Sequence, residues 1–341
     1  MSFELTATLA KMSLMLGIFI LGVAPIMLWV ERRMSALMQD RPGPNRLGPL
    51  GLFQGIADAV KFMFKEDLTP ASAENPLYLM APALALLPAL STFVVIPFGP
   101  DLHLGDRVVP LLVTNAGAGV LIFLALSSLG VYSLITAGYA SNNKFSLLGG
   151  IRASAQLISY ELALTVAVLA ALIPAGSFQL ADVVSYQQKH GLWMVVPQAI
   201  GFLVFLVAMF AETNRLPFDL PEAESELIAG FHTEYGAMRF ATFFMAEYIS
   251  MTALSMLAVT LYFGGWSIPF VTLPNDWLGA ILGLSSLLAK TALFLLFYVW
   301  VRWTFPRFRF DQLMRLGWKV LLPLSLVNLL WVAVATLAGW L

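Results

Sequence analysis

Apolar residues run along this chain in long blocks rather than in the short alternations of a soluble fold. Eight blocks are near the roughly 20 residues that a helix needs to cross a bilayer: 7–30, 78–98, 110–135, 153–174, 192–211, 237–263, 278–303 and 320–340. Hydrocarbon offers no partner for peptide groups, so each span must satisfy its own backbone. The pattern therefore predicts an all-α polytopic membrane protein, with about eight transmembrane helices forming a single membrane domain over residues 1–341. Between the first two blocks the period changes. Phe53, Ile56, Val60, Met63 and Phe64 are apolar, while Asp58, Lys61 and Lys65 stand at i, i+3 and i+7 on another face. That spacing predicts an amphipathic helix on the membrane surface. Upstream, three prolines and two glycines between Arg41 and Pro49 forbid a helix.

Charge gives the spans a direction. Fifteen of the 19 basic residues fall in the odd-numbered loops and only Arg107 and Lys189 in the even ones; Lys11 and Lys290 lie within spans. By the positive-inside rule both termini face outward, and loops 1 (31–77), 3, 5 (212–236) and 7 (304–319) face the cytoplasm or matrix. The first block is a full span without a small-residue cleavage site, so no cleavable signal peptide is expected. With 11% charged residues and a net charge of −1, the chain offers nucleic acid no basic face. With no cysteine, it cannot ligate an iron–sulfur cluster or act through a thiol. His103, His190 and His232 are scattered, and no metal-ligand spacing, phosphate-binding loop or nucleophile–base pattern appears.

The exception to this poverty of charge is Glu212 to Glu247, where seven carboxylates (Glu212, Asp219, Glu222, Glu224, Glu226, Glu234, Glu247) meet two arginines, Arg215 and Arg239. Leu216, Phe218, Leu220, Leu227, Ile228 and Phe231 lie between them, more apolar residues than a solvated loop needs. Three charges stand inside predicted spans: Glu161, Glu247 and Lys290. A charge at the bilayer centre costs about 2.5–3.5 kcal/mol even on the lenient insertion scale. Two readings stay open for them, a proton relay through the bundle and a structural Glu–Lys pair holding helices together. At the level of the whole chain two classes also remain, a self-contained proton-coupled transporter and a membrane subunit docking a partner through loops 1, 5 and 7.

Long motifs then carry a resemblance. ERRMSALMQDRPGPNRLGPLGLFQGIADAVKFMFKED from Glu31, SYE ending at Glu161, AETNRLPFDLPEAESELIAGFHTEYGAMRF from Ala211, MAEY from Met245 and RWTFPRFRFDQLM from Arg302 follow one another in order. Together they closely resemble the H/1-type, quinone-site membrane subunit of respiratory complex I (NADH:quinone oxidoreductase). The membrane subunit of energy-converting hydrogenases, the related alternative, shares part of the pattern. The resemblance implies a subunit without a redox centre that binds no cofactor itself. Quinone is the substrate, and NADH, FMN and iron–sulfur clusters belong to partner subunits. Partners would be a soluble quinone-site subunit and a terminal iron–sulfur subunit on the cytoplasmic side, small and antiporter-like membrane subunits, and membrane lipid. The location would be a bacterial inner membrane, or the mitochondrial one if organellar.

Carried onto this sequence, the resemblance implies a quinone chamber lined by Glu31, Arg32, Arg41, Arg46, Asp58, Lys61, Arg215, Asp219 and Arg302. It implies a path for the quinone tail along Phe53, Ile56, Val60 and Phe64. It also implies a proton relay through Glu161, Glu212, Glu222, Glu224, Glu226, Glu234 and Glu247, with loop 5 coupling quinone reduction to proton pumping.

Overall fold

The structure, a computed structural model, describes residues 3–104, 107–221, 227–269, 271, 274 and 276–341. Helices α1 (Phe3–Gly17) and α2 (Ala24–Met38) join through a π-helical turn, Ile18–Val23, into one rod. Then come α3 (Gln54–Phe64), α4 (Asn75–Ser91), α5 (Gly119–Ala140), α6 (Lys144–Leu172), α7 (Leu180–His190) and α8 (Ala199–Glu212). Helices α9 (Ala237–Tyr262), α10 (Trp277–Thr304), α11 (Phe310–Leu316) and α12 (Leu322–Leu337) complete the chain, the last two fused through a second π turn, Gly317–Leu321. Seven stretches among the described residues are long and apolar enough to cross a membrane. The molecule is the all-α polytopic membrane protein that the apolar blocks predict.

Four details differ from the sequence reading, each for a local reason. The fifth block is not a full span: α8 has 14 residues, about 21 Å at 1.5 Å per residue. Residues 192–198 instead wrap round the buried Gln187, whose Oε1 accepts from Met194 N at 3.1 Å, while Val195 N donates to the Tyr262 carbonyl at 3.1 Å. The third span starts at Gly119 rather than 110, because Phe98 N bonds Leu111 O at 2.9 Å and Thr114 N bonds Val94 O at 3.2 Å, folding that segment back. A short antiparallel pair, β1 (Leu102–Leu104) and β2 (Arg107–Val109), lies in the same connection. The fourth span begins at Lys144, its amino end capped by Asn143 Oδ1 accepting from Phe145 N at 2.9 Å. The last span begins at Phe310, so loop 7 shrinks to 305–309 and Arg315 and Lys319 belong to the helix.

Helices α6 and α9 form the centre, and every residue from Met251 to Tyr262 is buried. Tyr160, Phe205, Leu257 and Tyr262 are fully enclosed there. The α1–α2 rod and α10 stand at the periphery with many apolar side chains outward, such as Leu21, Ile26, Ile281 and Leu293.

Lys290, near the middle of α10, pairs with no carboxylate among the described residues. Its Nζ donates to the carbonyls of Phe263, Gly265 and Ser267 at 2.9, 3.0 and 2.6 Å and sits over the Trp193 ring. A cation is thus placed where the carbonyl end of α9 carries partial negative charge. Carbonyls take the place of the Glu–Lys pair that charge inside the spans suggests.

Candidate functional site

Loops 1, 5 and 7 meet at one end of the bundle, and their charged residues sort into three groups, each centred on a buried side chain. The deepest is built on Arg215. After α8 the chain turns through Asn214 in the left-handed region (φ 53°), which asparagine tolerates better than most residues. Buried Gln156 of α6 clamps this turn, its Nε2 donating to the carbonyls of Ala211 and Phe218, both at 2.8 Å. Arg215 is thereby aimed into the protein. Its Nη1 donates to both oxygens of Glu31 at 3.2 Å, its Nε pairs with Glu247, and its guanidinium lies 4.6 Å from the Tyr248 ring centre. Arg302 from α10 also pairs with Glu31, and the Tyr248 hydroxyl donates to Glu31 Oε2 at 2.7 Å.

The group contains two carboxylates and two guanidiniums, so its formal charge balances. Balance matters because an unpaired charge at 4–8% exposure would be strongly disfavoured. Burial pushes the Arg215 guanidinium down, but Glu247 and Glu31 outweigh it and hold the group well above its ordinary value. Arg215 stays cationic and ties α2, α9 and loop 5 together.

The second group is centred on buried Asp58 of α3. It pairs with Arg32 at 2.6 Å and Lys61 at 3.8 Å, and accepts from Gln54 Nε2 at 3.3 Å. Arg32 follows Glu31 in sequence, so the two groups adjoin. In the third, Asp219 pairs with Arg307 at 2.7 Å. Arg41 and Arg46 are exposed; the Arg41 Nε bonds the Gln39 side chain at 2.7 Å, and neither reaches these groups. Phe53, just before α3, and Ile56, Val60 and Phe64 on it are all exposed, Phe64 the most at 86%.

The remaining carboxylates divide. Glu212 and Glu247 line one cavity of about 110 Å³, together with Ser127, His232 and Ser250. Glu161 accepts from the Ser128 hydroxyl, one position from that lining, and lies within electrostatic reach of Glu212. Glu234 sits elsewhere: Asn143 Nδ2 donates to its Oε1 at 2.7 Å, and the Tyr78 hydroxyl donates to its backbone carbonyl at 2.7 Å. Tyr78 stacks on Tyr235 at 4.2 Å, under Arg239, which pairs with Asp67 at 3.0 Å and bonds Thr69 at 2.9 Å. Glu222, Glu224 and Glu226 lie outside the described residues.

Sequence reasoning alone overlooks Tyr248, Arg307, Gln156 and Ser128. Tyr248 is legible as the neighbour of Glu247 in MAEY. Arg307 is hidden inside a basic loop that a topology signal already explains, and the two uncharged residues carry no patterned signal.

A family described as NADH dehydrogenase matches residues 10–333. The chain is 48% identical over 337 residues to an H-type subunit of the NADH-quinone oxidoreductase of Geobacter metallireducens, covering 99% of this chain and 97% of that one. It is 45% identical over 336 residues to the H-type subunit of Leptospira biflexa, covering 95% and 94%, and 45% identical over 321 residues to that of Salinibacter ruber, covering 91% and 90%. With matches over nearly its whole length, this chain belongs to the family of H-type membrane subunits of NADH-quinone oxidoreductase.

Proposed function

We propose that this chain forms the membrane wall of a quinone-reduction chamber and passes the energy of that reduction to proton translocation. It does so as a subunit without a redox centre, between a soluble quinone-site subunit, a terminal iron–sulfur subunit and the small and antiporter-like membrane subunits. On this reading loops 1, 5 and 7 face the cytoplasm. The observation that carries the proposal is the Glu31–Arg215–Glu247 bridge. It joins the chamber end, where Glu31, Arg302, Arg32 and Asp58 gather, to the cavity that Glu247 and Glu212 both line.

The chemistry follows from charge balance. A quinone reduced beside this network takes up two electrons and two protons. Any transient anion there competes with Glu31 for Arg215 and Arg302. Loosening Arg215 from Glu247 changes the proton affinity of that carboxylate, and a proton then moves between Glu247, Glu212 and Glu161. Lateral access for the quinone tail runs along the exposed face of α3, at Phe53, Ile56, Val60 and Phe64.

The test uses Glu161→Gln in the assembled complex. The expected result is normal assembly, with NADH oxidation by a soluble electron acceptor intact. Quinone-linked proton pumping should fall roughly tenfold, equivalent to about 1.4 kcal/mol. Normal pumping at normal assembly would remove Glu161 from the relay.

A further inference from the structure

Ser128 of α5 and Glu161 of α6 lie in adjoining membrane spans, and their side chains meet. Among the described residues Ser128 is the hydrogen-bond partner of this carboxyl, and no lysine or arginine pairs with it. Glu31 and Glu247 are placed differently. Both face Arg215, whose guanidinium donates and never accepts, so it suits a carboxyl in its ionised form. A hydroxyl carries one hydrogen and two lone pairs, and so suits either form. It donates to a carboxylate and accepts from a carboxylic acid.

Accepting from the acid requires another acceptor for the serine hydrogen, and α5 supplies it. Ser128 Oγ stands 2.9 Å from the Leu124 carbonyl oxygen, in donating geometry. Ser127 Oγ donates to the same oxygen at 2.9 Å, and as a carbonyl inside α5 it also serves the helix ladder. A carbonyl oxygen has two lone pairs. With Ser127 and the ladder on it, Leu124 keeps its partners whichever way the Ser128 hydroxyl turns. A swing of that hydrogen to Glu161 therefore strands no backbone group, which is the costly outcome for a buried acceptor. Ser127 faces the cavity that Glu212 and Glu247 line, whereas Ser128 faces Glu161. Glu212 of α8 is a titratable group within electrostatic reach of Glu161. A proton exchanged along these carboxyls leaves Glu161 alternately protonated and bare, and the side chain has to be held in place in both conditions.

We infer that Ser128 is the positioning residue of Glu161, holding its carboxyl with and without a proton by turning one hydroxyl between Glu161 and the Leu124 carbonyl. The serine keeps its own hydrogen throughout, and the exchanged proton resides on Glu161. This role rests on the relay proposed for Glu161 above.

The test uses the full chain in its assembled complex, with proton pumping counted per assembled complex. Ser128→Ala should lower quinone-linked pumping roughly tenfold, the scale of one hydrogen bond to a charged group. Ser128→Thr keeps the hydroxyl and should restore pumping. In a Glu161→Gln background Ser128→Ala should add no further loss. Infrared difference spectra between two pH values within the active range read the carboxyl directly. The protonated C=O band that Glu161→Gln removes should move to higher wavenumber in Ser128→Ala and return in Ser128→Thr. Normal pumping in Ser128→Ala beside a defective Glu161→Gln overturns the positioning role and leaves the relay standing. Normal pumping in Glu161→Gln removes the relay, and the infrared band then decides on Ser128 by itself. A band that Ser128→Ala does not shift, or no band that Glu161→Gln removes, overturns the pairing.

Discussion

Arg215 and Glu31 are separated by 184 positions, yet Nη1 of the arginine reaches both oxygens of the glutamate at 3.2 Å inside the bundle. The same guanidinium holds Glu247, so a single side chain bridges the carboxylates of two helices. Removing it as Arg215→Met leaves Glu31 to Arg302 and Tyr248 and takes the guanidinium away from Glu247. The expected loss is about 3–5 kcal/mol of stability, seen as poor assembly and a lowered unfolding temperature of the complex. Arg215→Lys should restore only part, because an ammonium cannot fork between two carboxylates. A normally assembled, normally stable Met variant would refute the role of this bridge.

Lys290 gives the opposite expectation. Its three carbonyl bonds close the end of α9 far from Arg215. Lys290→Met should cost about 2–3 kcal/mol through unmet carbonyls, measured as lower heat resistance. Turnover and pumping per assembled complex should stay at the parental value. A pumping defect without a stability defect would return Lys290 to the proton path.

The exit of loop 5 is held by aromatic stacking and one hydroxyl. Tyr78→Phe keeps the ring on Tyr235 but deletes the bond to the Glu234 carbonyl. The expected cost is about 1 kcal/mol. Arg239→Gln releases Asp67 and Thr69. Limited proteolysis should then cut faster within residues 65–72, and unchanged cleavage would show that this tether does not order loop 1.

The exposed face of α3 is open to a direct measurement. Ile56→Asp or Val60→Asp puts a charge on the proposed tail path. The KM for a long-tailed quinone should rise roughly tenfold, the worth of about two buried methylene groups. A short-tailed analogue should be little affected. Equal effects on both quinones would move the path elsewhere.

Much of the architecture was legible because hydrocarbon forces a simple pattern: each apolar block predicts a helix. The pattern failed where side chains bond the backbone. Gln187 draws residues 192–198 away from a helix, and no periodicity announces a glutamine that does so. At the site, charge inside a span pointed to Glu247 and the resemblance to Glu31, Arg215 and Arg302, and the fold brings all four together. Glu234 belongs to the same acidic run but faces Asn143, because a run of carboxylates in sequence says nothing of where each one turns. Arg41 and Arg46 sit in a proline-rich segment whose direction no spacing rule fixes.

The π turn at Ile18–Val23 has a consequence for angular phase. Lys11 and Glu31 are 20 positions apart, so on an uninterrupted α-helix they would point about 200° away from each other, to nearly opposite sides. A ring closed one residue wider takes up one position without advancing the helix, reducing the offset to about 100°. Lys11, donating to the Pro110 and Leu112 carbonyls at 2.8 and 3.0 Å, and Glu31, held by Arg215, can then both reach the bundle from one rod. Deleting a single residue between 18 and 23 would leave a more regular helix, yet swing one end away from its partners. The irregularity is the gearing that lets one helix be fastened on both sides of a membrane.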